Sequence, residues 1–200
     1  MTCIGFDAGH GGTNHGTSSP CGRIREPPYV LGMGHAIMIA AAPDVVGFQP
    51  LLVRTSDHNL LLPERAGIAR RAGAAAVVSL HLNWSDNPDR HGAEAYAHHG
   101  DRVGRELALW ILGELGGPFW LSDRLYEGQV ASPGAFAITA AYHEAGVPCA
   151  LLELAFLSHA ADVESLLLPG AGEGLARRVA RGCARWVESC TVKPTKEPSC

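Results

Sequence analysis

The chain has 200 residues, 46% of them hydrophobic, with 24 glycines and a formal net charge of −4, enough apolar material for one sizeable core and hardly for two. Its basic residues are scattered rather than gathered into a patch or stripe, which sets nucleic-acid partners aside. No run reaches the ~18 consecutive apolar residues of a membrane span and the first residues lack the basic and apolar regions of a secretory leader, so we expect a monomer made in a cytoplasm, without stable membrane association.

In chain order, apolar runs of strand length alternate with longer segments of helical period. "TCIGFD" reads as a first strand, and after a Gly/Ser/Pro loop the prolines of "REPPYVLGMGHAIMIAA" suit a helix start. "FQPLLVR" is a second strand, "LPERAGIARRAG" a helix closed by glycine, and "AAVVSLHLN" a third strand, continuously apolar as a buried strand is. "GAEAYAH" follows as a fourth strand and "DRVGRELALWILGEL" as a helix; "GGPFWLSDRLYEGQVASPG" has no period and reads as a surface loop, followed by a short apolar segment. "VPCALLELAF" is a last buried strand before two helices, the second being "EGLARRVARGCARWVESC". The alternation predicts a single-domain α/β protein, a largely parallel twisted sheet with helices on both faces. The domain is expected over 1–190, with a flexible tail over 191–200.

Six cysteines, at positions 3, 21, 149, 183, 190 and 200, form no CxxC pair and no zinc-finger spacing. Cys3 and Cys149 are expected as small core residues, and Cys183 and Cys190 on one face of a helix. A disulfide to Cys200 stays open if the protein meets an oxidising compartment.

In a sheet of this kind ligands bind beyond the carboxyl ends of the strands. His10, in "FDAGHGGTNHG", lies just past the first strand between glycines that permit a sharp turn. His81 ends the third strand, Glu153 sits inside the apolar "ALLELAF", and Glu26 opens the first helix before two prolines. Taken singly, a strand-end histidine is usually a hydrogen-bonded structural residue, and a helix-start carboxylate is explained by the macrodipole. Glu153 resists such a reading, because an ionised carboxylate in a buried strand costs several kcal/mol unless paired or given a task, and no basic residue lies near it in sequence. Two imidazoles, one carboxylate and an open position are the ligand set of catalytic zinc, which lowers the pKa of its bound water and polarises a carbonyl while a second carboxylate takes the proton. That chemistry is amide or ester hydrolysis. The ligands lie 16 and 55 residues apart, unlike the HExxH helix.

At these residues the chain also resembles a family. "FDAGHGG", Glu26, "VRTSD", "LLPERAGIARRAGAAAVVSLHLN" and "VPCALLELAFLSH" fall in the order and at intervals similar to the signatures of the zinc-dependent N-acetylmuramoyl-L-alanine amidases of the amidase_3 type, over about residues 3–188. The resemblance implies Zn²⁺ held by His10, Glu26 and His81, Glu153 as the catalytic acid/base, and peptidoglycan as substrate, cut between N-acetylmuramic acid and L-alanine. A phage endolysin for host lysis is expected; a bacterial wall-remodelling amidase and another zinc peptidoglycan peptidase are the alternatives. The chain has Asn14 and His15 where the family usually has an acidic residue, and His159 where asparagine is common.

Among other residues, Arg54 and Arg65 match recurrent family arginines and are expected in ion pairs with Asp57 or Glu64. His35, His58, His91, His98 and His99 are expected to be solvated or structural, and His143 lies near enough to the last strand to reach the cleft. Asn83 is expected as an exposed turn residue, the alternative being that it orients a ligand or touches substrate. Trp84, Trp120 and Tyr126 fall in expected loops, where an aromatic face suits either a sugar or rim packing. Between His81 and Glu153 little room is expected for an inserted helix that covers the metal, so activity without an activator is expected.

Overall fold

The strands carry two kinds of alternate position, and this decides how the layers stack. The computed structural model describes residues 1–41, 47–115 and 137–191. These form β1 (Thr2–Ala8), α1 (Glu26–Ala40), β2 (Phe48–Leu52), α2 (Leu62–Arg71), β3 (Ala76–Asn83), β4 (Glu94–Ala97), α3 (Arg102–Leu115), α4 (Ala137–Glu144), β5 (Cys149–Phe156), α5 (Ala160–Leu166) and α6 (Ala171–Thr191). The sheet order is β2-β1-β3-β5-β4. All neighbours are parallel except β4, which runs antiparallel to β5. The expected α/β class therefore holds, with one antiparallel edge strand. Pro50 sits in β2, at the other edge, where a residue without an N–H is tolerated.

Ile4 and Phe6 of β1, Val78 and Leu80 of β3 and Leu152 of β5 meet α1, α3 and α6 in one apolar core, through Val30, Ile111 and Val179 among others. The opposite face is thinner. There Val77, Leu151 and Tyr96 meet α2 and α4 through Ala69 and Tyr142. In-register neighbours point to the same side of a sheet. Asp7 is in register with Ser79, Ser79 with Leu151, His81 with Glu153, and Glu153 with Glu94, so every polar strand residue in these rows lies on the α2/α4 side. One face is thus wholly given to packing and the other to a polar row near the carboxyl end of the parallel strands.

Two expectations change, and a third, Cys183 and Cys190 on one helix, holds with unequal burial. The short apolar segment before the last strand contains the helix α4, whose buried Ile138 and Tyr142 lie four apart on one side. Its eight residues are too few for the period to stand out. Cys183 is buried but Cys190 is exposed, because the buried residues of α6 end at Val187 and its last turn runs past the core. Cys3 is only partly buried, while Cys149 is fully so. None of the five cysteines among the described residues is in a disulfide; Cys200, the segment 116–134 expected as a loop, and 192–200 of the expected tail lie outside the described residues. No helix among the described residues is long and apolar enough to cross a membrane.

Candidate metal and active site

The turn after β1 is built from unusual backbone. His10 has φ +59° and Gly11, Gly12 and Gly16 have φ +116°, +56° and +54°, conformations that favour glycine and are uncommon for other residues. Buried arginines hold the turn. Arg65 donates to the His10 carbonyl (2.6 Å), the Ala8 carbonyl (2.8 Å) and the Asp7 carboxylate (2.7 Å). Tyr142 of α4 donates to the other Asp7 oxygen at 3.0 Å. The expected partners of Arg65 were Asp57 or Glu64, and the partner found is Asp7, 58 residues away in sequence. Glu64 instead accepts from the Leu61 N–H at the start of α2 (2.7 Å). Arg54 forms no ion pair among the described residues; its guanidinium is spent on backbone carbonyls.

The Glu26 carboxylate, at the first turn of α1, turns away from its own helix. Its Oε1 accepts from the Leu82 N–H (3.0 Å) and its Oε2 from the Thr17 N–H (2.8 Å), which ties α1 to the end of β3. On the same Oε1 converge His10 Nε2 at 3.1 Å and His81 Nδ1 at 3.0 Å, and the two ring nitrogens are 3.2 Å apart. Three donor atoms on three segments thus form a near-equilateral triangle. Tetrahedral zinc with bonds of ~2.0–2.1 Å sets its ligand atoms ~3.3 Å apart, so the triangle fits such an ion with little adjustment.

The outer hydrogen bonds aim the rings. Asn14 Oδ1 lies 2.9 Å from His10 Nδ1 and also accepts from the Gly16 N–H at 3.4 Å; Nδ1 is therefore a donor, and in the neutral ring the lone pair on Nε2 faces the triangle. Ser79 Oγ lies 3.2 Å from His81 Nε2 and leaves Nδ1 for the centre. Burial alone works against a charged His10 ring, but the hydrogen bond and charge of Glu26, with the Asn14 bond, raise its pKa above the ordinary value. Burial pushes the Glu26 carboxyl up, and hydrogen bonds from His10 and His81 outweigh it, holding the acid well below the usual carboxylate range.

Glu153 completes the cluster from β5, one strand over from His81. Its side chain meets the cleft, yet its Oε2 is sealed from solvent without a hydrogen-bond partner among the described residues. Burial, followed by the negative charges of Glu26 and Glu94, pushes its pKa well above the ordinary value. A buried acceptor without a donor, beside a triangle of ligand atoms, is the arrangement that a cation and a polar substrate would satisfy. The four residues line one cleft of about 960 Å³, with Leu62 and Trp84 among its other walls.

Glu94 is the residue that sequence reading missed. It is buried and in register with Glu153, and it is held by Asn83 Nδ2 at 3.2 Å, by Arg90 and by the Tyr96 hydroxyl. The signal lay in "AEAYA", whose alternation puts Glu94 and Tyr96 on one face. Asn83 is correspondingly no exposed turn residue. It ends β3, half-buried on the cleft wall. Trp84 is 45% exposed, whereas Trp120 and Tyr126 lie outside the described residues. His143 stacks on His98, ring centroids 4.0 Å apart, and does not line the cleft. His159 caps α5 by accepting from the Asp162 N–H, and its ring stacks on His91.

Gly9 is sterically obligatory here. A Cβ at this position would lie 2.3 Å from His81 Cε1, inside the ring's own space. Gly9→Ala is therefore expected to swing His81 out of the triangle and weaken metal binding by at least about tenfold, as measured by competition with a chromophoric chelator; wild-type affinity in this variant would show that His81 does not belong to the site.

Residues 4–185 match the model of the Amidase_3 family, N-acetylmuramoyl-L-alanine amidase. The chain belongs to this family. Among family relatives, the "Probable N-acetylmuramoyl-L-alanine amidase AmiB" of Haemophilus influenzae is 32% identical over 108 residues, 54% of this chain and 25% of its own length. The sporulation-specific N-acetylmuramoyl-L-alanine amidase of Bacillus subtilis is 26% identical over 189 residues, 91% of this chain and 67% of the relative. This chain therefore spans a quarter of the first and about two thirds of the second. Among solved structures, the amidase AmiC2 of Nostoc punctiforme superposes with a TM-score of 0.75 at 26% identity, over 94% of this chain and 97% of the other. The family fold is thus present nearly from end to end.

Proposed function

We propose that this amidase is a zinc enzyme that hydrolyses the amide between the lactyl group of N-acetylmuramic acid and the first L-alanine of peptidoglycan stems. The observation that carries the reading is the convergence of His10, Glu26 and His81 on one point within 3.2 Å of one another, beside the unpartnered Glu153 Oε2. In this reading the two imidazoles and Glu26 would hold the metal, which when bound would supply Lewis acidity and make water a stronger nucleophile near neutral pH. Asn14 and Ser79 keep the ring nitrogens aimed. Glu153 takes the proton of the attacking water and returns it to the departing alanine nitrogen, general base and then general acid.

Purified sacculi test this directly. Digestion is expected to free intact stem peptides bearing a new N-terminal alanine, with about one zinc per chain, and to stop on chelation. His81→Ala is expected to lose metal and activity together. Stems cut internally would assign a peptidase instead. We further propose that the enzyme needs no activator and serves a phage lytic role, acting on the wall after release from a cytoplasm. Cleavage of sacculi only when a partner protein is added would refute the first. Failure of the added protein to lyse permeabilised cells would refute the second.

A further inference from the structure

The "VRTSD" segment has no part in the chemistry above, yet it packs directly onto the ligand-bearing turn. Arg54 is 0% exposed, and a buried guanidinium without a carboxylate partner is costly unless its donors are satisfied. Its Nε donates to the Ala8 carbonyl (2.8 Å), its Nη2 to the carbonyls of Gly9 (2.9 Å) and Pro27 (3.1 Å), and its Nη1 to that of Ser56 (3.0 Å). Ala8 and Gly9 immediately precede His10; Pro27 immediately follows Glu26. One planar fork therefore spans the backbones that carry two of the three ligand side chains. Three residues on, Asp57 Oδ1 accepts from the Gly12 N–H at 2.9 Å, and the same loop lies so close that a Cβ on Gly11 would come within 2.5 Å of the His58 carbonyl oxygen.

We propose that Arg54, assisted by Asp57, is a positioning residue that sets the spacing of His10 against Glu26 and thereby the metal affinity. This rests on the metal-site reading above. Among the described residues the bonds of Arg54 fall on the ligand segments and on its own loop and on no other part of the core, which is what distinguishes a registering device from a general packing residue. A lysine would keep the charge but gather its three donors on one flexible nitrogen in place of the rigid fork, so it cannot reproduce the bonds that Arg54 makes to four carbonyls from three separate nitrogens.

The test uses the full chain as wild type, Arg54→Lys, Asp57→Ala and Ile111→Ala, the last a core change on α3, which carries none of the segments that Arg54 bonds. Zn²⁺ affinity is measured by chelator competition at 25 °C, with the visible spectrum of the Co²⁺ form as a probe of ligand geometry and circular dichroism as a check on folding. Arg54→Lys is expected to lose ~10–100-fold in Zn²⁺ affinity, the usual effect of removing an outer partner of a ligand set, to alter the Co²⁺ band, and to regain most of its turnover in excess zinc. Asp57→Ala, at an exposed position, is expected to lose less, and Ile111→Ala to melt earlier with its affinity unchanged. Wild-type affinity and spectrum in Arg54→Lys would overturn the proposal, as would an equal loss in Ile111→Ala; should Arg54→Lys not fold, unchanged affinity in Asp57→Ala overturns it instead. A wild-type chain that binds neither metal removes the metal-site reading itself, an outcome separate from these.

Discussion

Glu153→Gln is expected to keep the metal and to lower release of stem peptides from sacculi by about 10²–10⁴-fold, the usual contribution of a positioned general base. Glutamine fills the same space and keeps an acceptor, but it cannot take a proton. The same change has a second signature in metal-free protein, through linkage. Burial, reinforced by Glu26 and Glu94, holds the Glu153 carboxyl above its ordinary value of 4.5, so the folded chain retains a proton that the unfolded chain has released. Metal-free stability therefore falls as pH climbs from about 4.5 to the folded value, and levels off beyond it. His10 acts in the same direction. With its pKa raised above 6.5, its contribution is complete below 6.5 and is lost as pH rises through the folded value. Glu26 works in the opposite sense, because its depressed carboxyl contributes above 4.5 and its contribution is lost as pH falls through the folded value. Removing the Glu153 carboxyl deletes the first of these. In chelator, Glu153→Gln is expected to unfold at a higher urea concentration than wild type at pH 7, with the difference shrinking toward pH 4.5. Turnover at the wild-type rate would remove Glu153 from the chemistry, and an unchanged pH slope would show that its carboxyl is not desolvated.

Asp7→Ala is expected to lower the free energy of unfolding by about 3–5 kcal/mol, the range for removing one member of a buried ion pair, read as a shift in urea midpoint at constant m. Both side chains of the Asp7–Arg65 pair are almost wholly buried, and Asp7 also takes the Tyr142 hydroxyl. Its loss strands a guanidinium and a phenol together. Arg65 keeps its carbonyl partners, which limits the damage to the charge itself. Replacing both members, as Asp7→Ala with Arg65→Met, is therefore expected to destabilise by clearly less than the sum of the single changes. Strict additivity would mean that the two side chains do not act as a pair. Because Arg65 also holds the His10 carbonyl, metal binding is expected to weaken alongside stability in the Arg65 variants.

What sequence determined on its own was whatever depends on local period and on residue chemistry. Alternating strand and helix patterns set the α/β class. A glycine-flanked His10, a proline-marked Glu26, a strand-end His81 and a carboxylate in the apolar run around Glu153 were each visible as anomalies in otherwise regular segments. In a parallel sheet the strand ends share one edge, so their meeting was predictable from topology alone. Side-chain partners were another matter. That Arg65 pairs with Asp7 and Arg54 with four carbonyls, that Asn83 reaches Glu94, that α4 forms and delivers Tyr142 beneath Asp7, and that Cys190 outruns the core all depend on strand register and helix placement. These contacts join residues up to 135 positions apart, and no local pattern encodes which of several equally suitable partners a buried polar group will find. Tertiary packing makes that choice, because desolvation forces each buried donor to take whichever acceptor the fold has brought within reach.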